Sequence, residues 1–212
     1  MSGDHDFDFE PAPGLPAPLP KGEDILWQGR PLTYALARDA MGLHWIAGYF
    51  VLLALWRGGA AAADNGVGVI AQAVLAYLVL GAVACLIVLG LARAQARATV
   101  YTITTARVLM RIGAALPVTF NIPFTQVASA NLDLRKGGVG TIAMKTLGET
   151  RLSYLILWPH VRPWRMNPTE PALRCIPDAA GVAQILADAA ETRVSQPVVT
   201  AGLPGGASVP AE

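Results

Sequence analysis

Two long apolar stretches dominate the hydrophobic pattern of the chain. Residues 65–92 run for about 28 positions without an Asp, Glu, Lys or Arg, and residues 40–56 form a second uncharged stretch of about 17 positions. A helix of roughly 20 apolar residues crosses the hydrocarbon core of a bilayer. The pattern therefore predicts a transmembrane helical hairpin over residues 39–93, with spans at about 40–56 and 67–92.

After the second stretch, apolar and polar positions alternate, which is typical of strands that bury one face. In one such segment Val108 and Met110 share a face, while Arg107 lies on the opposite face. Gly-bearing segments separate the later alternating runs and predict turns. Six antiparallel strands are predicted, over residues 99–104, 107–112, 116–122, 127–134, 141–147 and 151–157.

The strands are followed by a proline-rich segment and then by a helical pattern. Residues 158–171 contain four prolines and are predicted to form a structured loop. Asp178 is a suitable N-cap for a helix that runs to about Thr192. One apolar stripe with helical spacing marks the buried face of this helix: Val182, Ile185, Leu186 and Ala189. Residues 97–192 are therefore predicted to be a small antiparallel β-sheet or barrel capped by a C-terminal helix, and the whole chain a membrane α+β protein.

The two ends of the chain have different compositions from the rest. Residues 1–20 are acidic and then proline-rich, and residues 195–212 are rich in Gly, Pro and Ser, so both are predicted to be disordered tails. Residues 21–38 contain a short apolar group between charged residues. We expect this segment to dock on the β-domain as a strand or turn.

The distribution of positive charge predicts the orientation of the hairpin. Five basic residues flank its outer ends, whereas Arg57 alone lies in its loop. Because basic residues concentrate on the cytoplasmic side, both termini are expected to be cytoplasmic in a multi-pass membrane protein. The formal net charge of +1 argues against a nucleic-acid partner. The flanking residues are Lys21, Arg30, Arg38, Arg93 and Arg97.

Groups suited to catalysis are sparse. The chain has three histidines, no recognisable metalloprotease or serine-hydrolase motif and no phosphate-binding glycine loop. We therefore expect no enzymatic activity and no metal site. The two cysteines, Cys85 in the second apolar stretch and Cys175 in the β-domain, are expected to be free thiols.

His44 is a polar residue inside the first predicted span, where polar groups are costly and often functional. Its spacing from Ala40, A-x-x-x-H, is the spacing of light-harvesting polypeptides that ligate bacteriochlorophyll through an imidazole. The competing interpretation is a hydrogen bond in the lipid headgroup region, since His44 lies close to the cytoplasmic end of the span.

The proline-rich segment also gathers residue types that dominate protein interfaces. Rigid prolines lower the entropy lost on binding, which favours a partner-contact surface. The alternative is an interfacial belt, since Trp and Arg settle at a bilayer surface without any protein partner. The candidate contact residues are Trp158, His160, Arg162, Trp164 and Arg165.

Several blocks of the sequence resemble a known family. The phrases EDILWQGRP and YTITTARVLMRIG are similar to bacterial pleckstrin-homology-like domains of small membrane proteins. More specifically, the blocks LPKGEDILWQGRP, TVYTITTARVLMRIGAALPVTFNIPF, YLILWPHVRPWR and EPALRCIPDAAGVAQIL resemble the PuhB family of photosynthetic reaction-centre assembly proteins.

The resemblance implies a PH-like β-domain and a non-catalytic assembly factor in the bacterial inner membrane, specifically its photosynthetic intracytoplasmic part. The implied partners are reaction-centre and light-harvesting subunits together with membrane lipids, and a homo-oligomer is a further option. The alternative is a generic membrane-anchored PH-like domain that binds anionic lipid or another membrane protein. The family supplies no catalytic residues to transfer to this sequence.

Overall fold

The computed structural model describes residues 14–15, 17–62, 66–135, 137–147 and 153–195 of the 212-residue chain. The helices are α1 (Thr33–Asp39), α2 (Leu43–Ala62), α3 (Val67–Ala98), α4 (Tyr154–Leu157) and α5 (Ala179–Ser195). The strands are β1 (Ile25–Gly29), β2 (Val100–Thr104), β3 (Arg107–Ile112), β4 (Val118–Pro123), β5 (Val127–Leu134), β6 (Gly140–Thr146), β7 (Val161–Met166) and β8 (Thr169–Ile176).

The long apolar helices α2 and α3 pack along each other, and glycines mark their closest approach. A Cβ atom placed on Gly81 of α3 would lie 2.6 Å from the Cβ atom of Phe50 on α2, and one placed on Gly58 would lie 2.7 Å from Val74 Cγ2. Larger residues at these positions would push the helices apart. Small residues thus allow the close helix contact.

The first apolar helix differs from its predicted bounds, because it begins at Leu43 and continues to Ala62. A separate short helix, α1, precedes it and ends at Asp39. Gly42 adopts a φ of +72°, a backbone conformation that favours glycine and interrupts the helical path between α1 and α2. The prediction from residue 40 onward followed hydrophobicity alone and missed this break.

The described residues form two four-stranded antiparallel sheets, with the orders β1-β2-β3-β4 and β5-β6-β8-β7. In β3, Val108 and Met110 are fully buried while Arg107 and Arg111 are half-buried, which confirms the predicted faces of this strand. In β2 all five residues are buried.

Strand β1 comes from the segment before the helices and pairs with β2, which follows them. Gln28 Nε2 donates a hydrogen bond of 2.9 Å to Thr102 Oγ1 across this pair. Next to β1, the Glu23 carboxylate accepts hydrogen bonds from the Arg107 guanidinium and from the hydroxyl of Thr104. The Arg107 hydrogen bond lowers the pKa of Glu23. The chain segments on either side of the helices therefore belong to the same sheet.

Two predictions for the second half of the chain are wrong. Part of the predicted strand at residues 151–157 lies outside the described residues, and its described end forms the short helix α4. The predicted loop at residues 158–171 instead contains β7 and the beginning of β8. Pro163 is accommodated because β7 is an edge strand. Every residue of β8 is buried, so its sequence shows no alternation.

Helix α5 packs against both sheets and closes the core. Asp178 Oδ1 accepts a weak hydrogen bond of 3.4 Å from the backbone N–H of Gly181, in the position expected for an N-cap. Val182, Leu186 and Ala189 are buried against the strands, in agreement with the predicted stripe. Two antiparallel sheets with a C-terminal helix packed on them fit a PH-like fold.

Candidate functional site

The β-domain is joined to the base of the helices through Arg174 of β8. Arg174 is 4% exposed, and its Nη2 donates a hydrogen bond of 2.9 Å to the main-chain oxygen of Asp39 at the end of α1. Its Nη1 lies 3.4 Å from the carbonyl oxygen of Pro159, which precedes β7. The backbone N–H of Leu32 donates to the carbonyl oxygen of Cys175 over 2.9 Å. These contacts fix α1 against β8.

Asp39 is the charged centre of this junction. Its carboxylate lies 2.7 Å from Arg38 Nε and 2.8 Å from Arg135 Nη1, and its side chain is 5% exposed. Burial alone would raise the pKa of Asp39, but the hydrogen bond from Arg38 and the charge of Arg135 outweigh it and lower the pKa. Asp39 is therefore ionised and holds basic residues from two parts of the chain.

His160 forms a second link, between the segment before β7 and the end of α3. The side chain is fully buried. Tyr101 Oη lies 2.5 Å from His160 Nδ1, and Thr99 Oγ1 lies 3.1 Å from His160 Nε2. Because the Tyr101 oxygen also accepts the N–H of Arg174, we assign its proton to the bond with Nδ1, which leaves Nε2 to donate to Thr99.

The buried position of His160 determines its charge. Burial, assisted by the nearby charge of Arg174, lowers the pKa of His160 to about 3. Burial likewise raises the pKa of Tyr101. Both side chains are therefore neutral near pH 7. The sequence predicts a surface position for His160, together with the other contact candidates of the proline-rich block. The structure instead places its side chain in the core, so it is not part of an exposed contact surface.

Apart from His160, the proline-rich block and the preceding helix α4 carry several exposed apolar side chains, which together we call the aromatic surface. Trp164 is 91% exposed and adopts a φ of +61°, an uncommon conformation for a bulky residue. Such backbone outliers occur often at functional sites. The large apolar side chains exposed here are Leu155, Ile156, Trp158, Trp164 and Met166.

The two arginines of the block are brought together by a buried carboxylate. Arg162 Nη1 lies 2.8 Å from Glu170 Oε2, and Arg165 Nε lies 3.2 Å from Glu170 Oε1. The Glu170 side chain is only 2% exposed. Burial would raise its pKa, but the two arginines lower it overall. The arginines therefore order the β7–β8 hairpin on which Trp164 is displayed, and each retains a partly exposed side chain.

His44 lies in the first turn of α2 and is exposed. The hydroxyl of Tyr34, on α1, lies 3.4 Å from His44 Nε2. This long contact orients the imidazole toward α1. The interpretation of His44 as a pigment ligand stays a prediction.

Sequence reasoning missed the residues that position the aromatic surface. Glu170 and Arg174 lie in β8, whose proline and mixed polar residues gave no periodic signal. The sequence pattern predicts Thr99 and Tyr101 only as residues of a strand, although their side chains contact a histidine about 60 residues away. A buried polar cluster of this kind is visible only after the sheets are assembled. No local motif in the sequence could have identified it.

These features define the class of protein: a PH-like domain of two sheets and a helix, joined to two long apolar helices. The family described as "Bacterial PH domain" matches residues 45–190, more than half of the chain. A protein of Rhodobacter capsulatus named "Uncharacterized 23.7 kDa protein in puhA 5'region" is 50% identical over 208 residues, which cover 97% of each chain. No solved structure shows a significant match.

The chain belongs to the bacterial PH domain family, and the relative from the puhA 5′ region agrees with the resemblance to the PuhB family.

Proposed function

We propose that this protein is a non-catalytic, membrane-anchored assembly factor for the photosynthetic reaction centre and its core light-harvesting complex. In this proposal α2 and α3 cross the photosynthetic intracytoplasmic membrane, and both termini and the β-domain lie in the cytoplasm. The observation that carries the proposed role is the relationship to a protein named for the puhA 5′ region over almost the whole chain.

The exposure of the apolar helices supports membrane insertion. In the most apolar windows of α2 and α3, only 11% and 6% of the residues are buried inside the protein. A core helix of a water-soluble domain would be mostly buried, whereas a span exposes apolar side chains to lipid. Helix α3, at 32 residues, is about 48 Å long and would extend beyond a hydrocarbon core of about 30 Å.

The pairing of β1 with β2 supports the placement of both ends of the hairpin on one side. The strands flank the helices in sequence and are hydrogen-bonded to each other, so the chain returns to the side from which it left. The basic residues Arg38, Arg93 and Arg97 lie toward this side, which favours the cytoplasm.

The aromatic surface is the part of the β-domain that we propose contacts a reaction-centre or light-harvesting subunit. Exposed Trp and Met side chains are enriched at the centres of protein interfaces. The contacts of His160 with Thr99 and of Arg174 with Asp39 hold this surface in a fixed position relative to the helices. A partner could therefore be engaged by the helices and the β-domain at the same time.

A complementation experiment tests the role. Deletion of the gene in a photosynthetic host should lower the near-infrared absorbance of reaction centres, and the wild-type gene should restore it. Trp164→Ala should accumulate normally, as shown by immunoblotting, but restore less absorbance. Leu116→Ala is a matched control, because Leu116 is 81% exposed and lies on the β3–β4 connection, away from the aromatic surface in sequence.

Two outcomes would contradict the proposal. Unchanged absorbance in the deletion strain would remove the assembly role and favour the alternative, a generic anchored PH-like domain that binds anionic lipid or another membrane protein. Full restoration by Trp164→Ala at normal protein level would retain the role but exclude Trp164 as a contact residue.

A further inference from the structure

Strand β5 lies at the edge of the second sheet. Among the residues that the structure describes, it pairs with β6 alone. In an antiparallel pair, alternate residues direct their N–H and C=O groups away from the partner strand. Natural proteins usually protect such an edge with lysine, proline or a covering element. The eight residues of β5, VASANLDL, contain neither lysine nor proline.

A groove runs between this edge and helix α5. Its volume is about 440 Å³. Ala128, Ala130 and Leu132 line it from β5, and Ala187 and Ala190 line it from α5. The alanines leave space that larger side chains would otherwise fill. The groove is therefore wide enough to accept apolar side chains from another segment.

The polarity of the groove indicates what kind of segment it fits. Among the described residues that line the groove, Glu191 is the single charged residue, and none is a lysine or an arginine. Arg193, although nearby in sequence, lines a separate cavity beside Glu23. The groove thus combines an apolar floor with negative charge near the end of α5.

We propose, independently of the assembly role, that this groove binds an extended peptide segment of a partner protein by adding it as a strand to the edge of β5. Main-chain hydrogen bonds to β5 would supply affinity, as in other cases of strand addition. Alternate apolar side chains of the peptide enter the alanine-lined groove, and a lysine or arginine of the peptide pairs with Glu191.

The test uses the full chain in detergent micelles and a set of fluorescein-labelled synthetic octapeptides. Each peptide carries valine or leucine at alternate positions, serine between them and a single lysine whose position varies. Fluorescence anisotropy should report saturable binding of members of this set. Peptides with proline at two central positions, which remove main-chain donors, should not bind. Peptides with glutamate in place of lysine should bind more weakly.

Variants of α5 locate the binding site. Ala187 is exposed, so Ala187→Phe should fill the groove without disturbing the core and should weaken peptide binding by at least about tenfold. Glu191→Lys should weaken the binding of lysine-bearing peptides, most clearly at low salt. Ala180→Phe is the matched control, because Ala180 is an exposed alanine of the same helix outside the groove lining. It should bind as the wild type does.

Three results would overturn the proposal. The first is the absence of saturable binding across the whole peptide set. The second is equal binding by Ala187→Phe and the wild type when both show the same circular dichroism. The third is dimerisation by light scattering that Ala187→Phe abolishes, because the occupant would then be a second copy of the chain.

Discussion

The guanidinium of Arg174 donates a hydrogen bond of 2.9 Å to the main-chain oxygen of Asp39, 135 positions earlier in the chain. This single contact joins the central strand β8 to the end of α1. The acceptor is a carbonyl group, so the link does not depend on the side chain of Asp39. The same guanidinium approaches the carbonyl oxygens of Pro159 and Val161, at 3.4 and 3.5 Å. Arg174 therefore approaches three main-chain oxygens from two other segments of the chain.

We predict that Arg174→Met destabilises the junction by about 2–4 kcal/mol, because it leaves buried carbonyl groups without a donor and removes a positive charge beside Asp39. Chemical unfolding of the full chain in detergent micelles would measure the loss. Arg97→Met is the control, since it removes one positive charge from an exposed position near the same end of α3. Equal stability of the two variants would show that Arg174 is not needed at the junction.

His160 should make the stability of the protein depend on pH. Its pKa is lowered to about 3 in the folded protein, against about 6.5 in an unfolded chain. Between these values the unfolded state binds a proton that the folded state does not, so stability falls as the pH falls. From pH 7 to pH 5 the expected loss is about 2 kcal/mol.

The variant His160→Gln isolates this effect. Glutamine does not titrate, so the stability difference between pH 7 and pH 5 should shrink by about 2 kcal/mol relative to the wild type. Chemical unfolding curves recorded at both pH values give the comparison. The carboxylates of Glu23, Asp39 and Glu170, whose pKa values are lowered, lose their contributions at more acidic pH. An unchanged pH dependence would rule out a buried neutral histidine at this position.

Two glycines of α3 should respond differently to the same substitution. Gly81→Leu should lower the stability by about 1–3 kcal/mol, because the new side chain collides with Phe50 of α2. Gly90→Leu should have little effect, since Gly90 is exposed and a Cβ atom there meets no other atom within 4 Å. Thermal unfolding in one detergent compares the two. A similar midpoint for both variants would contradict the close packing of α2 against α3.

The proposed topology predicts a pattern of chemical labelling. A cysteine introduced as Ala60→Cys, near the end of α2, should react with an impermeant maleimide added from the periplasmic side. Ser2→Cys and Ser208→Cys should be protected from it. Interference from Cys175 is small, because its thiol is buried and burial raises its pKa to about 11. Replacement of Cys85 by alanine removes the other native thiol. Labelling of Ser208→Cys from the periplasmic side would invert the proposed orientation.

The sequence predicted β2 to β6 because these strands alternate or are separated by glycine-containing turns. It predicted α5 because its stripe of apolar residues repeats with helical spacing. Strand β8 was missed for a physical reason, since burial on both faces removes the alternation on which the prediction depends. Strand β7 is not predicted because a proline indicates a break in regular structure, although an edge strand tolerates it.

The candidate site was predictable only in part. The exposure of Trp164 and the partial exposure of Arg162 and Arg165 agree with a surface position. The burial of His160 cannot be predicted from the residues next to it in sequence. Its partners are distant: Tyr101 lies in β2, and Thr99 directly precedes that strand. Local sequence reports the chemical type of a residue, whereas long-range strand pairing decides which side chains are enclosed.

The hydrogen bond between Gln28 and Thr102 has a consequence for biogenesis. The two residues are 74 positions apart, and the whole helical pair is synthesised between them. Strand β1 therefore leaves the ribosome well before its partner and stays unpaired until α3 is complete. If only one helix crossed the bilayer, β1 and β2 would lie on opposite sides and could not meet. The edge of β2 would then be uncovered and open to proteolysis. Under the proposed topology, closure of the first sheet therefore excludes chains in which only one of the two helices has been inserted.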